Sequence, residues 1–216
     1  MIQQTLDLRR TPAFSASDFL PAACNQAAIG WMARWPAWPS FALALCGPQG
    51  SGKTHLAHIF AARSESLVLT AADISDKLLA DLPDRRGVVV EDADRGVDET
   101  QLFHLFNRLQ EGGRPLLLTG RSPPSRWRLM LPDLRSRLAS VPVAQIGAPD
   151  DDLLAALLVK LFADRQIRIA PDVTRYLISR IERSFAAHQD MVDRLDQAAL
   201  AAHRPVTVPL IRALLE

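Results

Sequence analysis

The segment that most constrains this 216-residue chain is Gly47-Pro-Gln-Gly-Ser-Gly-Lys-Thr54, which matches the pattern G-x-x-x-x-G-K-[ST] in full. An apolar run precedes it and a helical pattern follows it, as the motif requires. Its glycines let backbone N–H groups surround phosphate oxygens, Lys53 reaches the outer phosphates, and Thr54 offers a hydroxyl to Mg²⁺. The sequence therefore predicts a strand, a phosphate-binding loop and a helix rather than an ordinary glycine turn.

Short apolar runs indicate the sheet to which this loop belongs. The predicted strands are Phe41–Cys46, Leu67–Thr70, Val88–Glu91, Pro115–Thr119 and Val141–Ile146. Most are continuously apolar, which is typical of a sheet covered by helices on both faces. Helical patterns alternate with them at Thr54–Arg63, Ser75–Asp81 and Glu99–Glu111. This alternation predicts an α/β fold with a five-stranded parallel sheet.

Only helical patterns follow Gly147-Ala-Pro149. They are predicted at Asp150–Arg165, Pro171–Ile181, roughly Gln189–His203 and Pro209–Leu215. Aspartates at the first helix start are good N-terminal caps, and both prolines stand where a first helical turn tolerates them. We therefore expect a nucleotide-binding α/β domain at 11–148 and a small all-helical domain at 149–216, with a flexible tail at 1–10.

The composition limits the classes of protein to which this chain can belong. The formal net charge of +1 does not mark the whole chain as a nucleic-acid binder. Its two cysteines, Cys24 and Cys46, are too few for a disulfide scaffold or a four-ligand zinc site, and we expect both to be buried thiols. No segment approaches the roughly 20 apolar residues of a membrane helix, and no secretory signal is evident. A cytoplasmic protein is the expectation.

A phosphate-binding loop works with a carboxylate that helps to hold Mg²⁺ at the end of a neighbouring strand. The third apolar run ends in two such residues, Glu91 and Asp92. We expect Glu91 to face Mg²⁺ through water and Asp92 to orient or deprotonate the attacking water. Aspartate is more usual at the first place, and glutamate is one methylene longer. Asp94 is predicted to be solvated.

Together these segments resemble the Hda family, the DnaA-related AAA+ proteins of bacteria that stimulate hydrolysis of ATP bound to the replication initiator DnaA. The resemblance covers nearly the whole chain, and the run Leu131-Pro-Asp-Leu-Arg-Ser-Arg-Leu138 is more specific than the P-loop. It implies an AAA+ P-loop fold with a helical lid. It also implies ADP or ATP with Mg²⁺, held by Gly47, Pro48, Gln49, Gly50, Ser51, Gly52, Lys53, Thr54 and His55.

Two further site residues follow from this resemblance. Arg137 is implied as an arginine finger that completes the ATP site of DnaA in trans, where a planar guanidinium stabilises charge on the transferred phosphoryl group. A surface arginine in a basic loop is the alternative. Thr119, at the end of the fourth strand, has the place of a polar sensor beside the terminal phosphate. A local cap or turn role for Thr119 is equally open.

The first residues are similar to the Q-x-x-L-x-L peptides with which such proteins bind the sliding clamp, the β subunit of DNA polymerase III. In Gln3-Gln-Thr-Leu6-Asp-Leu8, the leucines would enter an apolar cleft, each contributing roughly 1.5–3 kcal/mol if fully buried. The Gln3 amide would fix the register. A frayed terminus with no partner is the alternative.

Two departures from DnaA-like initiators bear on activity. Only 71–87 separates the second and third strands, too little for a two-helix insertion that binds single-stranded DNA, so we expect DNA contact to be indirect. The family's lid arginine falls on Ala186, and Arg183, one turn earlier, is the possible substitute. An activator of DnaA is therefore expected rather than an efficient ATPase.

Two other functions compete with this interpretation. A free-standing AAA+ ATPase or DnaC-type helicase loader would use Glu91 and Asp92 to hydrolyse ATP between like subunits, and it predicts a homo-oligomer that does not need the clamp tail. A nucleoside or small-molecule kinase would also have a P-loop. The helical lid and the arginine run before the fifth strand argue against the kinase, as does the lack of an evident motif for an acceptor substrate.

Overall fold

A computed structural model of the protein describes residues 19–83, 86–202 and 204–215. Its five strands are β1 (Ala42–Cys46), β2 (Leu67–Thr70), β3 (Val88–Glu91), β4 (Leu116–Gly120) and β5 (Val143–Gln145). They form one parallel sheet in the order β2-β3-β4-β1-β5. The predicted five-stranded parallel sheet is confirmed.

Helices cover both faces of this sheet. They are α1 (Gln26–Arg34), α2 (Lys53–Ser64), α3 (Asp76–Asp81), α4 (Glu99–Glu111) and α5 (Pro132–Ala139). Because successive side chains of a strand point to opposite faces, each strand contributes to two apolar clusters. One cluster joins alternate strand residues to α3, α4 and α5, and the other joins the intervening residues to α1 and α2. Burial on both faces accounts for the apolar runs in the sequence.

The rest of the described chain is helical: α6 (Asp151–Asp164), α7 (Pro171–Arg180), α8 (Phe185–Ala202) and α9 (Val208–Leu215). These helices share a third apolar cluster of their own, with Leu158, Phe162, Leu177 and Leu195 at its centre. The Asp150 side chain caps α6 by accepting a hydrogen bond from the Leu153 N–H at 2.8 Å. The helical lid at the C-terminal side of the sheet domain is therefore as expected.

The differences from the sequence prediction include one helix that was not predicted and one shifted helix start. The segment before β5 was expected to be a loop, but residues 132–139 form α5, which buries Leu134 and Leu138 one turn apart. Helix α8 begins at Phe185 rather than near Gln189. Ser184 caps its first turn, because its hydroxyl accepts a hydrogen bond from the Ala187 N–H at 3.2 Å.

The cysteine prediction is half right. Cys46 is fully buried at the end of β1, and burial raises the pKa of its thiol to about 12. Cys24 is only half-buried. Among the described helices, none combines the length and apolar character needed to cross a membrane.

Candidate nucleotide site

The segment after β1 turns sharply into α2, and glycine makes the turn possible. Gly50 and Gly52 have φ angles of +76° and +85°, in the left-handed region that residues with a Cβ rarely adopt. Gly52 immediately precedes the first residue of α2, so the free N–H groups of that helix open onto the same loop. Such a helix start favours an anion.

Lys53 is the buried cation of this loop, with only 8% of its surface exposed. Its ammonium donates hydrogen bonds to the carbonyl oxygens of Gly47 and Pro48, each at 2.9 Å. Burial lowers the pKa of Lys53, while the negative charges of Asp92 and Asp94 act to raise it. A buried ammonium is stabilised by anionic neighbours, so the electrostatics favour a negatively charged ligand here.

The carboxylates after β3 lie beside the end of β4. Asp92 has a φ of +47°, and its N–H donates to the hydroxyl of Thr119 at 2.9 Å. The next N–H, of Ala93, donates to the Thr119 carbonyl at 2.8 Å. Thr119 is 1% exposed, and these two hydrogen bonds to it fix the turn that carries Asp92. The Oε1 atom of Glu91 is buried without a hydrogen-bond partner among the described residues.

The prediction that Asp94 is solvated was wrong. Its side chain is half-buried, and its Oδ2 accepts a hydrogen bond from the Arg121 N–H at 2.7 Å. The other oxygen, Oδ1, is buried without a partner among the described residues. Asp94 therefore ties the turn after β3 to the turn after β4, a contact between distant segments that no local pattern indicates.

A cavity of about 450 Å³ opens at the carboxyl ends of the strands, the usual ligand position in an open parallel sheet. The predicted residues that line it are Gln49, Gly50, Ser51, Gly52, Lys53, Thr54, His55 and Asp92. The other predicted phosphate and catalytic residues, Gly47, Pro48, Glu91 and Thr119, are not among its lining residues. The first two nevertheless hold the Lys53 ammonium, and Thr119 holds Asp92.

Residues 19–25 form one wall of this cavity. The Phe19 ring meets the His55 ring edge-on, with centroids 5.6 Å apart. Asn25 is buried and shapes the wall, because its amide donates to the Leu20 carbonyl at 2.8 Å and accepts from the Ala22 N–H at 2.9 Å. The opposite wall comes from Leu153, Leu157, Leu161 and Phe185 of the lid. One end of the cavity is thus apolar.

Three cations that the sequence prediction missed also line the cavity: Arg95, Arg121 and Lys160. They come from the turn after β3, the turn after β4 and helix α6, so their convergence depends on the fold. Arg121 is the second residue after the predicted fourth strand, and strand ends were the signal that led to Glu91 and Asp92. The same signal would have found Arg121.

The start of α8 lies against the phosphate-binding loop. The Gln189 amide donates to the Gly50 carbonyl at 3.4 Å, and a Cβ on Gly50 would lie 3.2 Å from the Ala186 nitrogen. The position matched to the family's lid arginine is therefore beside the loop but carries a methyl group. The substitute, Arg183, pairs with both carboxylate oxygens of Asp151 at 3.0 Å and does not line the cavity.

Arg137 lies on α5, on an exposed surface, and is not among the cavity-lining residues. Its guanidinium donates a hydrogen bond to the Gln110 side-chain oxygen at 3.0 Å and stands 5.4 Å from the centre of the Phe103 ring. Both partners belong to α4. Arg135 is exposed on the same helix. Gln3, Leu6 and Leu8 lie outside the described residues.

Comparison with known proteins adds three findings. The sequence model of the lid domain of Hda matches residues 150–215. An uncharacterized protein of Haemophilus influenzae is 31% identical over 184 residues, which cover 78% of this chain and 79% of that protein. Domain III of the Thermotoga maritima replication initiation protein DnaA superposes with a TM-score of 0.77 at 18% identity, covering 94% of this chain and 95% of that one.

A second solved structure is similar in fold. It is the replication initiator DnaA bound to AMPPCP and single-stranded DNA, with a TM-score of 0.67 at 15% identity, covering 89% of this chain and 68% of that one. The two solved structures show that the fold of this chain is shared with DnaA, and the family match concerns its C-terminal helices.

Proposed function

This chain belongs to the Hda-like family of DnaA-related AAA+ proteins, and on that premise we propose that it limits replication initiation by stimulating hydrolysis of the ATP bound to DnaA. It acts as an activator rather than as an efficient ATPase. The observation that carries the proposal is the exposed guanidinium of Arg137, which lies on α5 outside the chain's own cavity.

Its own cavity holds ADP or ATP with Mg²⁺. Gly50 and Gly52 supply the left-handed turns, and the buried hydroxyl of Ser51, a cavity-lining residue, has no hydrogen-bond partner among the described residues, as expected of a group that meets a ligand. Lys53 binds the outer phosphates, the Thr54 hydroxyl contacts Mg²⁺, and Glu91 faces Mg²⁺ through water. Magnesium suits this set, since it combines one or two protein oxygens with nucleotide phosphates. Asp92 orients water.

Arg137 enters the nucleotide site of DnaA as an arginine finger. A guanidinium is always charged and presents a planar fork of donors, so it stabilises the charge that develops on the transferred phosphoryl group. Contacts with Gln110 and Phe103 hold Arg137 on the surface of α4 before docking. Such exposed contacts are weak and are readily exchanged for a phosphate.

The N-terminal tail binds the sliding clamp through Gln3, Leu6 and Leu8. Anchoring on the clamp raises the local concentration of the protein near DNA and DnaA, which strengthens a second, weaker contact without new interactions. DNA is then approached through the clamp rather than through a dedicated DNA-binding element.

A single-turnover assay tests the proposal. DnaA bound to radiolabelled ATP is mixed with clamp loaded on DNA, with and without this protein, and hydrolysis is followed in time. We expect acceleration that depends on both the protein and the loaded clamp, and loss of that acceleration when residues 1–8 are deleted. No acceleration at any protein concentration would exclude this function. Hydrolysis by the protein alone, in an oligomer, would support the helicase-loader alternative instead.

A further inference from the structure

Helix α8 of the lid brings no charged side chain to the phosphate-binding loop. Helix α8 reaches the phosphate-binding loop with Phe185, Ala186 and Gln189, none of which carries a charge. The nearby Arg183 is bound to Asp151 by two contacts of 3.0 Å. A triphosphate has more negative charge than Lys53 and one Mg²⁺ can balance, so another cation is needed at the phosphate end.

Arg121 is positioned to supply that charge. It directly follows β4, and its backbone N–H is fixed by the Asp94 carboxylate at 2.7 Å. Its guanidinium lines the cavity and donates a hydrogen bond to the side-chain oxygen of Gln49, a residue of the phosphate-binding loop itself. Backbone and side chain together hold the charge at the rim of the loop.

The cavity is polarised along its length. Leu153, Leu157 and Leu161 line the lid side, where a base would be accommodated. Around Lys53 the charged neighbours are Asp92, Asp94 and Arg95, all of which act on the pKa of Lys53. The backbone N–H of Arg121 donates to Asp94 and its guanidinium donates to Gln49 of the phosphate-binding loop, so Arg121 lies at this charged end. The charged end is where the outer phosphates meet Lys53.

We propose that Arg121 contacts the terminal phosphate of a nucleotide in this chain's own cavity and so makes the site discriminate ATP from ADP. Its present acceptor, the neutral amide of Gln49, forms a weaker bond than a phosphate oxygen, and a guanidinium can hold two phosphate oxygens at once. A change of hydrogen-bond acceptor, from the Gln49 side chain to a phosphate oxygen, is therefore favourable for Arg121. Arg121 takes the part that a lid arginine would otherwise play.

Calorimetric titration of ADP and of AMPPCP, each with Mg²⁺, tests this role on the full chain. In Arg121→Ala, we expect AMPPCP binding to weaken about 10- to 100-fold, the range of a lost charge-assisted hydrogen bond, and ADP binding to change less than about threefold. Arg121→Lys should recover part of the AMPPCP affinity, because it restores charge without the planar fork.

Arg126→Ala is the matched control. Arg126 is an exposed arginine of the same connection after β4, but it lines a separate hollow beside Trp127 and Val97. It should leave both affinities within about twofold. Equal weakening of ADP and AMPPCP in Arg121→Ala, or no weakening of either, would overturn the proposal. So would a loss in Arg126→Ala as large as that in Arg121→Ala.

The role of Arg121 presupposes the proposed nucleotide binding but not the action on DnaA. Neither DnaA nor clamp is present in the titration, so a failure of Arg137 to act on DnaA leaves the Arg121 result intact. If the unaltered protein binds neither ADP nor AMPPCP, both nucleotide binding and the role of Arg121 are wrong. If it binds both, and Arg121→Ala weakens the two affinities equally or not at all, only the role of Arg121 is wrong.

Discussion

The cavity and the exposed face of α5 each carry a cation to which we assign a role in the proposed function, but they hold it differently. Lys53 is buried, and its ammonium donates hydrogen bonds to backbone carbonyl groups of its own loop. Arg137 is exposed and is held by side chains of one neighbouring helix. The first arrangement fixes a charge where a ligand must enter, whereas the second leaves a charge available to another molecule.

Energetics sharpen this contrast. Moving Lys53 would leave a buried charge or unsatisfied carbonyls, each of which costs more than an exposed contact. Exposed ion and hydrogen-bond contacts such as those of Arg137 contribute about 0–1 kcal/mol. Under the proposed function, a single fold would combine a fixed cation for its own nucleotide with a releasable cation for a partner.

Arg137→Ala should give the largest effect and separates the two regions. We expect acceleration of DnaA ATP hydrolysis to fall by about 10³–10⁵-fold, the usual contribution of an arginine finger, in the single-turnover assay. Nucleotide binding to this chain should stay unchanged, because Arg137 does not line its cavity. Arg137→Lys should restore little, since an ammonium lacks the planar fork.

Arg135→Ala is the control for that experiment, because Arg135 is exposed on the same helix two residues away. It should retain nearly full stimulation. A larger loss in Arg135→Ala than in Arg137→Ala would mean that the finger is assigned to the wrong arginine. Reduced nucleotide affinity in Arg137→Ala would show that the two regions are not independent.

Lys53→Ala should give the next largest effect, at the other region. Removing a cation that binds phosphate directly should weaken ADP and ATP binding by about 10²-fold or more in calorimetry. Lys77→Ala, an exposed lysine of α3, should have no measurable effect. Unchanged affinity in Lys53→Ala would remove the assignment of the cavity as a nucleotide site.

Thr119→Val should give the smallest effect and tests which role Thr119 has. Loss of the hydroxyl leaves the Asp92 N–H without its acceptor, at a cost of about 1 kcal/mol, which lowers Tm by roughly 2–4 °C in a chain of this size. Calorimetric melting without nucleotide measures this shift. Thr100→Val, at an exposed position of α4, should leave Tm almost unchanged.

An unchanged Tm in Thr119→Val, together with slower hydrolysis of the nucleotide bound to this chain, would favour the sensor role over the local one. A lower Tm with unchanged hydrolysis would favour the local role. The structure motivates the latter expectation, because the hydroxyl of Thr119 is already engaged by the turn that carries Asp92.

Much of the fold was predictable because strand runs such as Val88–Glu91 are apolar on both faces and short, and because the loop at Gly47–Thr54 fixes its own flanking elements. Helix α5 was not, since it spans only two turns and shows only Leu134 and Leu138 as apolar anchors. So brief a pattern is easily taken for a loop.

The candidate site was predictable where its residues are contiguous and not where they converge. Residues 49–55 line the cavity as expected, since one motif brings them together. Arg121 and Lys160 stand on elements far apart in sequence, and only the sheet order and the lid bring them to the same space. The partly buried hydrogen bond between Thr119 and Asp92 likewise depends on the pairing of β3 with β4.

The sheet order also has a consequence for synthesis on the ribosome. β1 lies between β4 and β5, so the strand that leads into the phosphate-binding loop acquires its neighbours only after Leu116 and Val143 have been made. Pairing between segments this distant in sequence is slow, because the intervening chain must first be ordered. A nascent chain therefore exposes the Gly47–Thr54 segment before the strands beside it have been made, and the proposed nucleotide site can form only after the last strand is synthesised.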